Sequence, residues 1–409
     1  MKKGLAMLMA VILAISLIGA AMGDEKSMTE QEWYSQALLD SEMSLGNNAR
    51  LKNVIERAQQ GEEITLAVIG GSITEGAGAS QYRECWAQRF GVRFGNTYGA
   101  ENGSHVHLVN AGVGGTPSTF GYMRYARDVV SKVPAEDPDG LPDVVVIEFS
   151  VNDWGEPTNH RCFESMVREI LDAPNEPAVI LMFAVFKTGF NLQDDLRKIG
   201  DSYGLMMVSV KDAVYSRIGK DLTEKEFFFD DYHPTSLGHR IMADCLMKTI
   251  ADAAEKETDV PQNLDVPAVY GTDFIGLKTI YGDTESGDFT VERGGFPGWD
   301  TNSYHNLPVG WVCGKNFYHD AGDSAEPLKV TGTFRKCLVA WKAASDASFG
   351  AAEILMDGKT VMTVQGAPDK WGQSEVVLVL DDQEAAEHVL EIRVKDPEKR
   401  FTVTAIGLQ

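Results

Sequence analysis

Ser72 has the sequence setting of a nucleophile. It follows an apolar run, residues 64–69, that has the length and β-branched content of a strand, and it comes directly after Gly70 and Gly71. Glycines permit a sharp turn whose backbone amides approach a bound substrate closely. A serine held at such a turn is suited to acyl transfer.

Among the eight histidines, His233 is the one that the sequence best prepares to activate a serine. A serine hydroxyl is a weak nucleophile until a base takes its proton. Asp230 precedes His233 by three residues, so its carboxylate can turn back on a tight loop, orient the imidazole and stabilise its cation. Asp231 is the alternative orienting acid, and the spacing favours Asp230.

Two further segments supply hydrogen-bond donors for an oxyanion, and each follows a predicted strand. Residues 106–110 lead into a loop with Gly114 and Gly115, whose amides can face the site. Residues 144–149 lead towards Asn152, whose side chain carries an amide donor. These groups together predict attack on an ester carbonyl, a reaction for which we expect no metal and no organic cofactor.

This set of residues resembles the SGNH hydrolase superfamily, also called GDSL esterases, which is named for four residue types in four sequence blocks. The resemblance covers roughly residues 60–250 and rests on all four blocks in order. It implies a complete catalytic set: the nucleophile Ser72, the acid–base pair Asp230 and His233, and the oxyanion donors Ser72, Gly115 and Asn152. Gly115 is preferred to Gly114 because the family glycine usually lies five residues after the block asparagine, here Asn110.

The chain departs from the family pattern at two places. Gly71 replaces the aspartate before the serine, and Ser150 with Val151 replaces the common glycine before Asn152. An α/β-hydrolase also carries its serine on a strand-to-helix turn, but that turn needs a glycine where this chain has Thr74. Its acid and histidine also come from separate loops, so the SGNH pattern is the better match.

Charge and the N-terminus restrict partners and location. The chain of 409 residues has a formal net charge of −23, which disfavours nucleic acid and anionic membranes and suits a neutral substrate. Residues 1–23 have the basic start, apolar stretch and small-residue end of a secretory signal peptide. We therefore expect export without stable membrane association. An uncleaved N-terminal anchor is the alternative, because the apolar stretch approaches membrane-spanning length.

The hydrophobic periodicity changes along the chain and divides it into two domains. Strand and helix patterns alternate over residues 24–255, which predicts a three-layer α/β/α domain with a parallel sheet, the flavodoxin-like SGNH fold that the resemblance implies. Residues 256–270 turn charged and proline-rich, as a linker does. Residues 271–409 alternate in strand fashion and predict an all-β sandwich that resembles jelly-roll modules. Within the first domain we expect a helix over 118–132 and a strand over 206–210.

Cysteines and the remaining histidines do not indicate a metal site. The cysteines are odd in number, widely spaced and without a Cys-x-x-Cys pair, so free buried thiols are expected at Cys85, Cys162, Cys245, Cys313 and Cys337. A Cys313–Cys337 pair is the alternative. His105 and His107 fall on one face of a strand with no acid or thiol nearby, which indicates structural roles.

A secretory leader, an SGNH domain and an appended sandwich together predict the removal of acetyl groups from a polysaccharide. The partner is then an acylated glycan or a small ester. Trp154 is a candidate to line an acyl or sugar subsite. The aromatic residues between 296 and 318 either stack on sugars or, as we favour, pack in the core or between the domains. The alternatives are a lipid, lysophospholipid or general short-chain esterase, an acyltransferase to a sugar hydroxyl, and a non-catalytic glycan-binding scaffold.

Overall fold

The computed structural model describes residues 32–284, 287–301, 316–367 and 372–409. The predicted leader, Trp311 and Cys313 lie outside these ranges. Within them, no helix combines the length and the apolar character that crossing a bilayer requires.

Six strands form the sheet of the first domain, in the spatial order β1-β6-β5-β4-β2-β3. Their bounds are β1 Glu42–Ser44, β2 Ile64–Gly70, β3 Val106–Gly112, β4 Val144–Glu148, β5 Ala178–Phe183 and β6 Met206–Ser209. Strands β2 to β6 pair in parallel, which confirms the predicted sheet, and β1 joins β6 in antiparallel orientation. All seven residues of β2 are buried because helices cover both faces of the sheet.

Helices pack on both faces of this sheet. Their bounds are α1 Glu32–Asp40, α2 Ala49–Gln60, α3 Ser72–Glu75, α4 Trp86–Tyr98, α5 Ser118–Asp128, α6 Arg161–Leu171, α7 Gln193–Tyr203, α8 Val210–Val214, α9 Glu224–Phe227 and α10 Ser236–Glu255, with short 3₁₀ turns at Tyr82–Glu84, Ala100–Gly103 and Val130–Lys132. One core includes α1, α2, α4 and α10, and the other includes α5, α6 and α7. Successive side chains of β2 alternate between them, Leu66 entering the first and Ala67 the second.

Two element boundaries differ from the sequence expectation for local reasons. The helix expected over 118–132 ends at Asp128 and continues as the 3₁₀ turn Val130–Lys132. The strand expected over 206–210 ends at Ser209, because the Ser209 hydroxyl accepts the amide of Asp212 and caps α8.

In the second domain the described residues form antiparallel β-strands, as predicted. Its strands are β7 Lys278–Ile280, β8 Thr290–Glu292, β9 Phe317–His319, β10 Leu328–Ala343, β11 Ala351–Met356, β12 Lys359–Gln365, β13 Gln373–Val394 and β14 Phe401–Leu408. All pairings among them are antiparallel. The long strands β10 and β13 pair along their length with register shifts near Lys336, and both halves of β10 contribute to one core, Leu328 from the first and Val339 from the second.

The segment between the domains lies along the first domain. The Asn48 side chain bonds to backbone groups of Ala253, Glu257 and Asp259. The interface is apolar at its centre, where Phe274 and Leu338 share a core with α5, α6 and α7. The second domain therefore packs on the face of the sheet that carries these three helices.

Candidate active site

Ser72, His233 and Asp230 form one hydrogen-bonded row, named here the catalytic row. Nε2 of His233 lies 2.9 Å from Oγ of Ser72, and Nδ1 of His233 lies 2.8 Å from Oδ2 of Asp230. This geometry allows the imidazole to take the serine proton while the carboxylate orients the ring. The structure thus brings together three residues that the sequence indicated from two distant segments.

Ser72 lies on one tight turn, and Asp230 and His233 lie together on another. β2 ends at Gly70 and α3 begins at Ser72, whose carbonyl oxygen accepts the amides of Gly76 at 3.0 Å and Ala77 at 2.9 Å. On the other side, the amide of Phe229 donates to the carbonyl of His233 at 2.9 Å and closes the loop that holds Asp230. Both turns are therefore fixed by backbone hydrogen bonds before substrate arrives.

Asp230 is the acid that meets His233. Burial by itself would raise the pKa of Asp230, but hydrogen bonds from the His233 ring and from the amides of Tyr232 and His233 outweigh it and lower the pKa. Asp230 is therefore an ionised acceptor at neutral pH. Asp231, the alternative acid, has its carboxylate 3.5 Å from Nζ of Lys187.

Gly114 and Gly115 differ in backbone hydrogen bonding and conformation. The Gly114 amide donates to Oε2 of Glu75 at 2.8 Å, so this donor is engaged within the protein. Gly115 is partly exposed and has φ of 67°, a left-handed conformation that glycine adopts without a side-chain clash. Gly115 is thus the better candidate for an oxyanion donor, in agreement with the family spacing.

The Asn152 side chain lies directly against the Cα atom of Gly71. A Cβ atom placed on Gly71 would come within 2.2 Å of Oδ1 of Asn152 and 2.9 Å of its Nδ2. The backbone amide of Asn152 donates to the carbonyl of Phe149 at 2.9 Å. This hydrogen bond holds the loop in place. The absent side chain at Gly71, a departure from the family pattern, therefore makes room for Asn152 one residue from Ser72.

Three buried acids connect the loops of the site. Burial raises the pKa of Glu75 to about 7, of Glu148 to about 7 and of Asp153 to about 8. The Thr74 hydroxyl donates to Glu148 at 2.9 Å, and the Ser118 amide donates to Asp153 at 2.7 Å. Sequence analysis assigned none of them a role. A sequence signal was available only for Glu148, an acid at the end of an apolar strand.

Arg124 is a fully buried cation behind the serine turn. Its guanidinium donates to the carbonyl of Gly70 at 3.0 Å and of Ala111 at 2.5 Å, and lies 3.3 Å from a carboxylate oxygen of Asp128. It therefore ties the end of β2, which precedes Ser72, to the end of β3, which precedes the glycine loop. Sequence analysis missed it because nothing local distinguishes it from other helical arginines.

The remaining histidines of the first domain lie outside the catalytic row. His239 is buried between two backbone groups, and burial lowers its pKa to about 4. The expectation that no acid lies near His105 and His107 was wrong. Glu63 contacts both rings, at 2.9 Å and 2.5 Å, because it directly precedes β2, which pairs with the strand that carries them.

The described part of the chain contains buried thiols but no cluster of potential metal ligands. No group of three histidine, cysteine or acidic side chains there is arranged to hold a metal ion. Four cysteines, Cys85, Cys162, Cys245 and Cys337, are buried free thiols. The alternative Cys313–Cys337 pair falls partly outside the described residues.

The aromatic candidates differ in their exposure to solvent. Trp154 is 78% exposed and lies two residues after Asn152. In the second domain Phe296 and Phe317 are buried in the core, as favoured from sequence, whereas Trp299 is half-exposed.

Comparison with known proteins gives a family match that spans the residues of the catalytic row. The sequence model of the GDSL-like Lipase/Acylhydrolase family matches residues 68–241, which include the whole catalytic row. No curated protein sequence matches the chain.

Among solved structures, the chain is similar to a two-domain esterase active on acetylated mannans, at 25% identity and a TM-score of 0.75, over 90% of this chain and 97% of that one. A second structure, of this esterase co-crystallised with mannopentaose, matches with the same identity, coverage and TM-score. Residues 68–241 therefore match the GDSL-like lipase/acylhydrolase family, and the protein is a carboxylic ester hydrolase.

Proposed function

We propose that this protein is a serine esterase that removes short acyl groups, in the first place acetyl, from a carbohydrate. The observation that carries the proposal is the catalytic row, in which His233 lies 2.9 Å from the hydroxyl of Ser72 and 2.8 Å from Asp230. The similar two-domain esterase, matched over both domains, acts on acetylated mannans.

In the proposed mechanism, Ser72 Oγ attacks the ester carbonyl while His233 takes the serine proton. The oxyanion is held by the amides of Ser72 and Gly115 and by the side-chain amide of Asn152. His233 passes its proton to the departing sugar oxygen, and the bond between that oxygen and the acyl carbon breaks. Water then gives a proton to His233 and attacks the acyl carbon of the acyl-enzyme. The bond between that carbon and Ser72 Oγ breaks, His233 returns its proton to Ser72 Oγ, and the carboxylic acid leaves.

The charge of the chain supports a neutral glycan as the substrate. A formal net charge of −23 repels polyanions and does not oppose an uncharged polysaccharide. We propose cleavage of a signal peptide at residues 1–23, followed by an esterase domain at 24–255, a connecting segment at 256–270 and a β domain at 271–409. The exposed Trp154 is proposed to line the acyl or sugar subsite because it lies two residues from Asn152.

The test is release of acetate from acetylated mannan, xylan and pectin by the protein without residues 1–23, with Ser72→Ala as its matched control. We expect acetate from a neutral polymer and none from the Ser72→Ala protein. We also expect Asn152→Ala to lower kcat about 10²–10³-fold on p-nitrophenyl acetate. Full activity of Ser72→Ala would overturn the assignment. Preference for decanoate over acetate in a p-nitrophenyl ester series would favour the lipid esterase instead.

A further inference from the structure

An aromatic surface adjoins the catalytic row on the side of His233. It consists of Phe186, Phe190, Tyr215, Phe229 and Tyr232. We propose that this aromatic surface binds sugar rings of the chain that carries the ester, and hence that the enzyme prefers acetylated oligosaccharides to isolated esters. This inference rests on the proposed function and specifies its substrate class as a neutral glycan chain.

The rings form a continuous set that begins at the catalytic imidazole. The centroid of Tyr232 lies 6.3 Å from that of His233 and 5.1 Å from that of Phe186. The Phe186 and Phe190 rings are 6.1 Å apart. A ligand seated on this set would therefore extend directly from the bond that Ser72 attacks.

Further rings widen the set. Tyr215 lies against the loop that contains Phe186 and Phe190, since a Cβ atom on Gly189 would meet the Tyr215 ring at 2.5 Å. Phe229 lies on the loop of the catalytic row itself, four residues before His233. The set is thus built from three segments of the first domain.

Exposure distinguishes this surface from core packing. Phe229 is 69% exposed, Tyr232 56% and Tyr215 42%. Single exposed apolar residues are ordinary, but several on neighbouring loops beside a reaction centre indicate a binding surface. Aromatic faces offer apolar contact to the C–H faces of pyranose rings, and the tyrosine hydroxyls can bond to sugar hydroxyls.

The loops that carry the rings are already ordered. The Lys187 amide donates to the carbonyl of Asp231 at 3.1 Å, which links the Phe186 loop to the catalytic loop. The Phe186 amide donates to the carbonyl of Phe190 at 3.1 Å, and part of the Phe186 side chain packs on the core. Ordered rings lose little conformational entropy when they bind.

Acidic groups around the surface favour a neutral occupant. This part of the site contains three acids: Asp230, Asp231 and Glu224. Nζ of Lys187 lies 3.5 Å from a carboxylate oxygen of Glu224 and 3.5 Å from one of Asp231. Carboxylates accept hydrogen bonds from sugar hydroxyls but repel uronates and anionic lipids. The surface therefore suits an uncharged glycan.

The kinetic test compares kcat/KM on an acetylated manno-oligosaccharide with kcat/KM on p-nitrophenyl acetate. We expect Tyr232→Ala and Phe190→Ala each to lower this ratio about tenfold, the size of one lost ring contact. Tyr232→Phe keeps the ring and should retain most of the ratio. Val361→Ala, which trims an exposed apolar side chain of β12 in the other domain, is the control. An unchanged ratio in both alanine variants would overturn the proposal, and so would an equal loss on both substrates by Phe190→Ala.

A binding measurement separates this proposal from the proposed function. Ser72→Ala protein is titrated with unacetylated mannopentaose and xylopentaose by calorimetry, so that no turnover is needed. We expect binding of at least one, weakened about tenfold by an added Tyr232→Ala. Absence of binding to both sugars would overturn the aromatic surface even if acetate release succeeds. Variants that lose activity only on p-nitrophenyl decanoate would instead identify the occupant as an acyl chain.

Discussion

The amide of Gly114 donates a hydrogen bond to the carboxyl group of Glu75, at 2.8 Å, and Glu75 lies three residues after Ser72. One side chain thus links the turn of the candidate nucleophile to the glycine loop of the candidate oxyanion site. Because Gly114 is anchored in this way, the neighbouring Gly115 is held in a defined position relative to Ser72.

Loss of this link should impair the reaction more than substrate binding. We expect Glu75→Ala to lower kcat on p-nitrophenyl acetate by about tenfold or more, because a displaced oxyanion donor acts in the transition state. Glu75→Gln keeps an acceptor oxygen and should retain most of kcat. Steady-state kinetics of both variants measure the change in kcat, and thermal unfolding checks that both variants fold. Equal losses of kcat for Gln and Ala would contradict a role for the acceptor.

The buried acids should make the protein less stable at alkaline pH. Burial raises the pKa of Glu75 and Glu148 from 4.5 to about 7 and that of Asp153 from 3.8 to about 8, so the folded state binds more protons than the unfolded chain. Below the unfolded pKa values these acids are neutral in both the folded and the unfolded state, so their burial carries no charge penalty. Stability then declines as pH rises from the unfolded pKa values of 4.5 and 3.8 to the folded values of about 7 and about 8, and it levels off above them.

A neutral replacement provides the control for this effect. Glu148 is fully buried and bonded to Thr74, and Glu148→Gln should flatten the decline in unfolding free energy between pH 5 and 9, by on the order of 3 kcal/mol. Urea unfolding of both proteins across this range measures it. Parallel pH profiles for the two proteins would disprove the assignment to Glu148.

Gly71 and Asn152 should behave as one unit in kinetics. A Cβ atom at position 71 would lie 2.2 Å from Oδ1 of Asn152, so Gly71→Ala should displace that side chain. We expect a kcat loss similar to that of Asn152→Ala, about 10²–10³-fold, and little further loss in the double variant. A double-variant cycle on p-nitrophenyl acetate measures the coupling, and additive losses would contradict the contact.

Glu164 should secure the arrangement of the two domains. Its buried carboxyl group accepts the amides of Val269, Tyr270 and Gly271 at 2.6–2.9 Å. Glu164→Ala would leave these amides without that acceptor and should destabilise the protein by about 3 kcal/mol or more.

A surface acid at the opposite end of the same helix serves as the control for Glu164. Asp172 pairs with Arg168 at 2.8 Å in an exposed position, and Asp172→Ala should cost at most about 1 kcal/mol. Denaturant unfolding and the rate of proteolysis between residues 256 and 271 report both effects. A similar loss for the two variants would argue against the special role of Glu164.

Sequence by itself determined the features that depend on short stretches of chain. The glycine turn before Ser72 and the three-residue spacing of Asp230 and His233 are local, so their types and order suffice to predict them. The same holds for the alternation of strands and helices in the parallel sheet, because side-chain periodicity follows from backbone geometry. Element ends were less certain, as Ser209 illustrates, since a single side-chain cap decides where a strand ends.

Only the tertiary structure decided contacts between distant segments. Glu75 and Gly114 are 39 residues apart, Arg124 and Gly70 are 54 apart, and Glu63 meets His105 across 42 residues. Such pairs leave no periodic or local signal, because they arise when parallel strands bring their ends to one edge of the sheet. The site's candidate nucleophile was therefore predictable, whereas the buried groups that hold it in place required the fold.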